Sequence, residues 1–329
     1  MIQAFALAVV AAILGLGALP ASAQGLAGKL VLYTSQLAPD AQQTVDAFQK
    51  IHPEVKVEWS RDGTTQLINK LRAEIAAGSP QPDVLLVADA ITLEALKSEQ
   101  RLMAYPEAKT DGFPPGAHDR DKTYFATKLI TTGIVYNRAA PMKPERWVDL
   151  VKPEAKGQVI MPSPLYSGAA AIHLGVLTRT PSLGWPYYEA LAKNGAQSAR
   201  GNGGVFDAVA GGQKLYGVLV DFLAIRNKLK GSPVEFVFPA DGVTAVTEPV
   251  AILSSARNPA AARAFVDFLL SRDGQELAAL QGMLPAREDV APPPGFPPLK
   301  SIRVLPANVA EILLADEADK KRFAELFGR

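Results

Sequence analysis

KLVLYTSQLAPDAQQTVDAFQKIHPEVKVEWSRDGTTQLINKLRAEIAAGSPQPDVLLVAD, residues 29–89, sets the fold class. Lys29 to Thr34 reads as a buried strand. Pro39 to Ile51 follows with Ala41, Val45, Phe48 and Ile51 at helical spacing. Val55 to Trp59 is a second strand, and Thr65 to Ala77 a second helix with Leu67, Ile68, Leu71 and Ile75 inward. Asp83 to Val87 is a third strand, and Asp89 caps a helix running to about Ser98. Alternating β and α elements with short connections predict a parallel sheet covered by helices on both faces. Ligands bind such sheets beyond the C-terminal strand ends. Those ends are Thr34-Ser35, Arg61 to Thr65 and Ala88 to Ala90.

Downstream, Lys109 to Lys122 is a polar surface loop, and Tyr124 to Tyr136 a long β segment. A second α/β set begins at Val159. Helices are expected at 169–178, 185–194, 202–210 and 222–228, with strands at 214–220 and 235–238. Thr244 to Leu253 reads as one return strand. Pro259 to Ser271, Asp273 to Gln281 and Ala307 to Leu326 read as helices. The expected architecture is α/β, two lobes joined by a two-segment hinge: residues 24–130 plus 245–329 in one lobe, with the C-terminal helices free to pack on both, and 131–244 in the other. Chain crossings near 126–137 and 240–248 would leave a cleft between the lobes.

The bulk composition narrows the function classes. The 329 residues are 48% hydrophobic and 20% charged, with a net charge of +1. That balance gives no hint of nucleic acid or an acidic membrane surface as partner. Without cysteine, disulfides, thiolate metal sites and cysteine nucleophiles are excluded. Phe5 to Leu19 is an apolar run followed by Ala21-Ser22-Ala23, a small-x-small cleavage pattern, although no Lys or Arg precedes it. Residues 1–23 therefore read as a cleaved secretory signal; the 15-residue run Phe5 to Leu19 falls short of the about 20 residues that a membrane anchor, the alternative reading, needs.

Near the middle stands Met161-Pro-Ser-Pro-Leu-Tyr-Ser-Gly-Ala-Ala170. Ser167 is placed as an N-cap, and Gly168 and Ala169 are small enough to let a ligand touch the backbone. A helix start carries unpaired N–H groups and a partial positive charge, so it suits an anion. The competing reading is that Ser167 only caps its own helix. No G-x-S-x-G, H-E-x-x-H or P-loop occurs, and Phe206 stands where a dinucleotide fingerprint needs its third glycine.

Several segments together resemble periplasmic substrate-binding proteins of ABC importers, in the branch that binds ferric iron, thiamine, sugar phosphates and aminoethylphosphonate. They are LVLYTSQ (30–36), the 67–89 segment, TTGIVYN (131–137), PSPLYSGAA (162–170), KLYGVLVDFLA (214–224), TEPVAIL (247–253) and NPAAARAFVDFLLSRDGQELAA (258–279). The resemblance implies a type II two-lobed fold closing over one ligand, a membrane permease as partner, a periplasmic location and a monomeric chain. It also implies no catalysis and no cofactor. Iron-binding relatives place a His after the first strand and two adjacent Tyr after a strand of the second lobe. Here those places read Tyr33-Thr-Ser-Gln-Leu37 and Val220-Asp221-Phe222-Leu223, without either. Tyr187-Tyr188 falls within a helix, where adjacent residues point about 100° apart, and reads as packing.

With no metal clamp, the candidate ligand contacts are Thr34, Ser35, Thr64, Thr65, Ser167, Gly168, Ala169 and Asn202, donors suited to a phosphate ester or phosphonate. Asp221 is either the partner of a ligand ammonium group or a helix cap, and Arg61 either an anion partner or a solvated turn charge. Ferric iron held with a bound anion, and a periplasmic hydrolase on the same scaffold, are the alternatives carried forward.

Overall fold

The computed structural model describes residues 26–328; the signal segment read at 1–23 lies outside them. The first half runs β1 (Gly28–Thr34), α1 (Ala38–Ile51), β2 (Val55–Arg61), α2 (Thr64–Ala76), β3 (Val84–Leu86), α3 (Ala90–Ser98), β4 (Leu102–Met103) and β5 (Tyr124–Phe125). Next come β6 (Lys128–Asn137), β7 (Val159–Pro162), α4 (Gly168–Thr178), α5 (Gly184–Lys193), β8 (Gln197–Ala199), α6 (Asn202–Ala210), β9 (Tyr216–Val220), α7 (Asp221–Leu229), β10 (Val234–Val237) and β11 (Thr244–Val246). The chain closes with β12 (Val250–Leu253), α8 (Pro259–Leu270), α9 (Arg272–Leu280), β13 (Leu284–Pro285) and α10 (Val309–Phe327).

These elements build two lobes, each around one sheet. The first sheet has the order β2-β1-β3-β12-β4, with β5 also on β12; the second has β8-β7-β9-β6-β10. The two orders have one design. A parallel trio is followed by one antiparallel strand, β12 or β6, which the chain delivers as it crosses from the other lobe. Parallel strands need covering on both faces, and the runs bear this out: β3, β7 and β9 are buried at every residue. Helix α8, capped by Asn258 and led by Pro259, buries Phe265, Val266 and Leu269 in the first lobe's core.

The crossings differ from the sequence expectation. The segment read as one strand from Tyr124 to Tyr136 splits: β5 pairs in the first sheet and β6 in the second. The return segment read as one strand from Thr244 to Leu253 splits likewise into β11 on β6 and β12 on β3. The break falls at Thr247-Glu248-Pro249. Pro249 has no N–H for a ladder, and Glu248 lies at a φ of 37°, outside the β region. Both interruptions sit side by side, forming the two-segment hinge. Thr127 donates to the Glu248 carbonyl (2.7 Å), and Lys128 pairs with the Glu248 carboxylate (2.6 Å) with both side chains buried.

Helix α10 packs on α3 of the first lobe and on α4 and α5 of the second, so the C-terminus spans both. Among the described residues no helix is long and apolar enough to cross a membrane.

Candidate functional site

The strand ends of both sheets face one another across a cleft of about 450 Å³, within the range of small-molecule sites. Five helices begin at its wall: α1 at Ala38, α2 at Thr64, α4 at Gly168, α6 at Asn202 and α7 beside Val220. Each helix start carries unpaired N–H groups and a partial positive charge. The convergence follows from topology, since each of these helices leaves the C-terminal end of a strand.

Hydroxyls sit among these helix starts. Ser167 Oγ accepts from Ala170 N (3.3 Å) and from Asn202 Nδ2 (3.2 Å). With both lone pairs taken, its own proton is left to donate. Capping and ligand contact are thus compatible at Ser167. Ser35 Oγ accepts from Ala88 N (2.9 Å) and lines the same cleft. Arg61, at the end of β2, donates Nε to the Gln36 carbonyl (2.8 Å) and Nη1 to Tyr166 OH (2.9 Å). Those bonds hold the guanidinium at the cleft wall. Among the described residues it forms no ion pair. Arg200 lies over the Tyr166 ring and pairs with Asp62 (3.1 Å) near solvent.

The lobes touch at the cleft mouth. Thr65 N donates to the Tyr166 carbonyl (3.3 Å), Thr65 Oγ1 to the Pro164 carbonyl (3.3 Å), and Gln66 Nε2 to the Leu165 carbonyl (3.0 Å). Two glycines make this approach possible. A Cβ on Gly63 would lie 2.3 Å from the Tyr166 carbonyl oxygen, and one on Gly168 would lie 2.7 Å from that of Ala88.

Of the residues expected at the site, Ser35, Thr64, Ser167, Gly168, Ala169 and Asn202 line the cleft together. Three do not. Thr34 is wholly buried at the end of β1, and its hydroxyl accepts from Gln36 N (3.2 Å). Thr65 belongs to the lobe contact just described. Asp221 does not line the cleft and is not the N-cap of α7, which is Val220. Its carboxylate accepts from the Thr131 amide (2.9 Å), the Thr131 hydroxyl (2.7 Å) and Phe222 N (2.6 Å) inside the second lobe. Burial pushes its pKa up to about 7, partly opposed by those hydrogen bonds.

Residues that sequence reasoning passed over are Gln36, Tyr166, Arg200 and Glu248. Arg61, weighed between two roles, faces the cleft rather than solvent. A signal existed for Tyr166, inside the stretch singled out at 161–170, and for Arg200, just before a helix start. None existed for Glu248, which meets Gln36 across 212 positions of sequence.

Tyr187 and Tyr188 are both buried in the second lobe's core, edge to face with each other. Burial pushes both phenols up, away from the tyrosinate form that a ferric ion needs. Among the described residues no group of three or more His, Asp or Glu is arranged to hold a metal ion.

The comparisons agree with this architecture. Residues 30–284 match the family described as bacterial extracellular solute-binding protein. The chain belongs to that family. It is 29% identical over 297 residues to an uncharacterized protein of Haemophilus influenzae, covering 84% of this chain and 82% of the relative. It is 25% identical over 263 residues to a sulfate-binding protein of Synechocystis, covering 75% and 72%. Among solved structures it is similar to the periplasmic binding protein AfuA of Actinobacillus pleuropneumoniae with fructose-6-phosphate bound. The TM-score is 0.82 at 22% identity, covering 91% of this chain and 98% of that one. Iron-bound HitA of Pseudomonas aeruginosa gives a TM-score of 0.77 at 21% identity, covering 90% and 99%. At those identities the structural likeness carries the fold alone.

Proposed function

We propose that the protein is the periplasmic solute-binding component of an ABC importer. It captures a small phosphate ester or phosphonate between its lobes and delivers it to a membrane permease, as a secreted monomer without catalysis. One observation carries the reading: five helix N-termini and Arg61, a cation in no ion pair among the described residues, meet in one cleft. Hydrogen bonds to a charged acceptor contribute about 1.5–3 kcal/mol each, and a micromolar complex needs only about 8 kcal/mol net. A few such donors are therefore enough. The Synechocystis relative is named for an oxyanion and AfuA holds a sugar phosphate, which supports an anion here too. Iron, the ligand of HitA, is poorly served. Tyr166 lines the cleft, but its hydroxyl is tied to Arg61, a cation that would oppose a ferric ion.

The test is a thermal-shift panel on the purified mature chain with phosphate esters, phosphonates, sulfate and ferric citrate. A rise in melting temperature confined to phosphorus compounds is expected, because a ligand binding only the folded state stabilises it. A rise with ferric citrate and with no phosphorus compound would refute the proposal.

A further inference from the structure

One corner of the cleft cannot serve an anion. Gln36 and Glu248 both line it, and both are nearly wholly buried. Lys128 (2.6 Å) and Gln36 Nε2 (3.4 Å) contact the same carboxylate oxygen of Glu248, Oε2. Because a carboxylate can only accept, the Gln36 amide must turn its NH₂ towards Glu248. Its Oε1 is thereby left buried without a hydrogen-bond partner among the described residues. An unpaired buried acceptor is costly and rare enough to need an explanation. Glu248 is also held in a strained backbone conformation, at a φ of 37°, by the Thr127 hydroxyl on its carbonyl. Strain of this kind persists where the surroundings impose it and collects at ligand sites.

Resting on the phosphoryl reading above, we infer that Gln36 and Glu248 form a hydrogen-bond-accepting floor that selects a hydroxylated phosphate ester over an amino-substituted phosphonate. The charges make the choice. Lys128 already neutralises Glu248, so the floor offers lone pairs without net negative charge. A hydroxyl can donate to Gln36 Oε1 or to the remaining oxygen of Glu248 at no electrostatic cost. An ammonium at this floor would share the Glu248 carboxylate with the buried Lys128 ammonium, and like charges in a poorly hydrated site repel. The Asp221 carboxylate, weighed above as an ammonium partner, is turned into the second lobe towards Thr131. One residue joins the two ends of the site, since the Gln36 backbone carbonyl takes the Arg61 guanidinium while its side chain reaches Glu248.

Isothermal titration calorimetry on the mature chain tests this with four probes: D-fructose 6-phosphate, glycerol 3-phosphate, 2-aminoethylphosphonate and methylphosphonate. At least one hydroxylated ester is expected to bind ten times or more tightly than either phosphonate. Gln36→Leu should cost that ester at least tenfold while leaving methylphosphonate within about twofold. Gln36→Glu, which adds a negative charge to the floor, should improve 2-aminoethylphosphonate relative to the esters. Thermal midpoints of the free variants check that each is folded. Tighter binding of 2-aminoethylphosphonate than of both esters by the unaltered chain overturns the inference, as does equal loss of ester and methylphosphonate in Gln36→Leu. Both results leave the phosphoryl reading standing. No heat from any of the four overturns that reading, and the inference with it.

Discussion

Replacing Gly168 by alanine adds one methyl carbon where the lobes meet. In the structure that carbon would lie 2.7 Å from the Ala88 carbonyl oxygen and 2.9 Å from the Cβ atoms of Asp89 and Thr64. All three belong to the first lobe, whereas Gly168 opens α4 in the second. Its φ is not positive, so the backbone itself tolerates alanine there. Within a helix, alanine is better than glycine by about 0.5–1 kcal/mol. The substitution therefore leaves the fold intact and penalises only the closed arrangement. Overpacking of this kind costs about 1–3 kcal/mol. At about 1.4 kcal/mol per tenfold, ligand affinity should fall by about 5- to 150-fold. The assay pairs calorimetry, using the tightest phosphoryl binder of the panel, with small-angle scattering. The unaltered chain should show a smaller radius of gyration with ligand than without. The variant should stay expanded at ligand concentrations that saturate the unaltered chain, with a free-state melting temperature equal or higher. Full affinity together with normal compaction would refute the reasoning, because the steric seam would then not limit closure. A lowered free-state melting temperature would also refute it, since the damage would lie in the fold.

Two further outcomes follow, one from the cleft and one from the second lobe's core. Arg61→Met removes the cleft guanidinium while keeping an apolar stem of similar length; the loss of one charge-assisted hydrogen bond, about 1.5–3 kcal/mol, corresponds to about 10- to 150-fold weaker binding by calorimetry. Asp221 and His173 set opposing pH dependences of stability. The Asp221 pKa is raised from 3.8 to about 7 by burial, so its stabilising contribution is complete below pH 4 and is lost as pH rises through 7. Burial pulls His173 from 6.5 down to about 3, so it contributes nothing above pH 6.5 and costs stability as pH falls below that. Between pH 4 and 6.5 the two slopes offset each other. Urea unfolding of Asp221→Asn should therefore show stability rising with pH across that window, where the unaltered chain is flatter; equal slopes in the two proteins would contradict this.

Much of the fold was legible because hydrophobic periodicity reports local geometry directly. The β-α-β-α-β run at 29–98 and the helices after residue 259 lie close to where spacing put them. The errors were of one kind. Two segments continuous in pattern, 124–136 and 244–253, each divide between two sheets. Alternation within a strand says nothing about which sheet receives it. Pro249 was a visible interruption in the second segment, but the strained Glu248 beside it was not. At the cleft, Thr64, Ser167, Gly168 and Asn202 were placed together because helix-start signals are local. Thr34, Thr65 and Asp221 do not line the cleft, because proximity to a strand end does not fix where a side chain turns.

By itself the sequence determined two α/β lobes, crossings between them near 126–137 and 240–248, and a helix start at Ser167-Gly168 in the second lobe. Those properties depend on periodicity, caps and breakers within a few residues of one another. Only the tertiary structure decided that Arg61 faces a cleft rather than water, that Gln36 meets Glu248 across 212 positions, and that Gly168 is where the lobes touch. These are contacts between distant segments. Their partners are fixed by how the two sheets are assembled and closed, which no local pattern encodes.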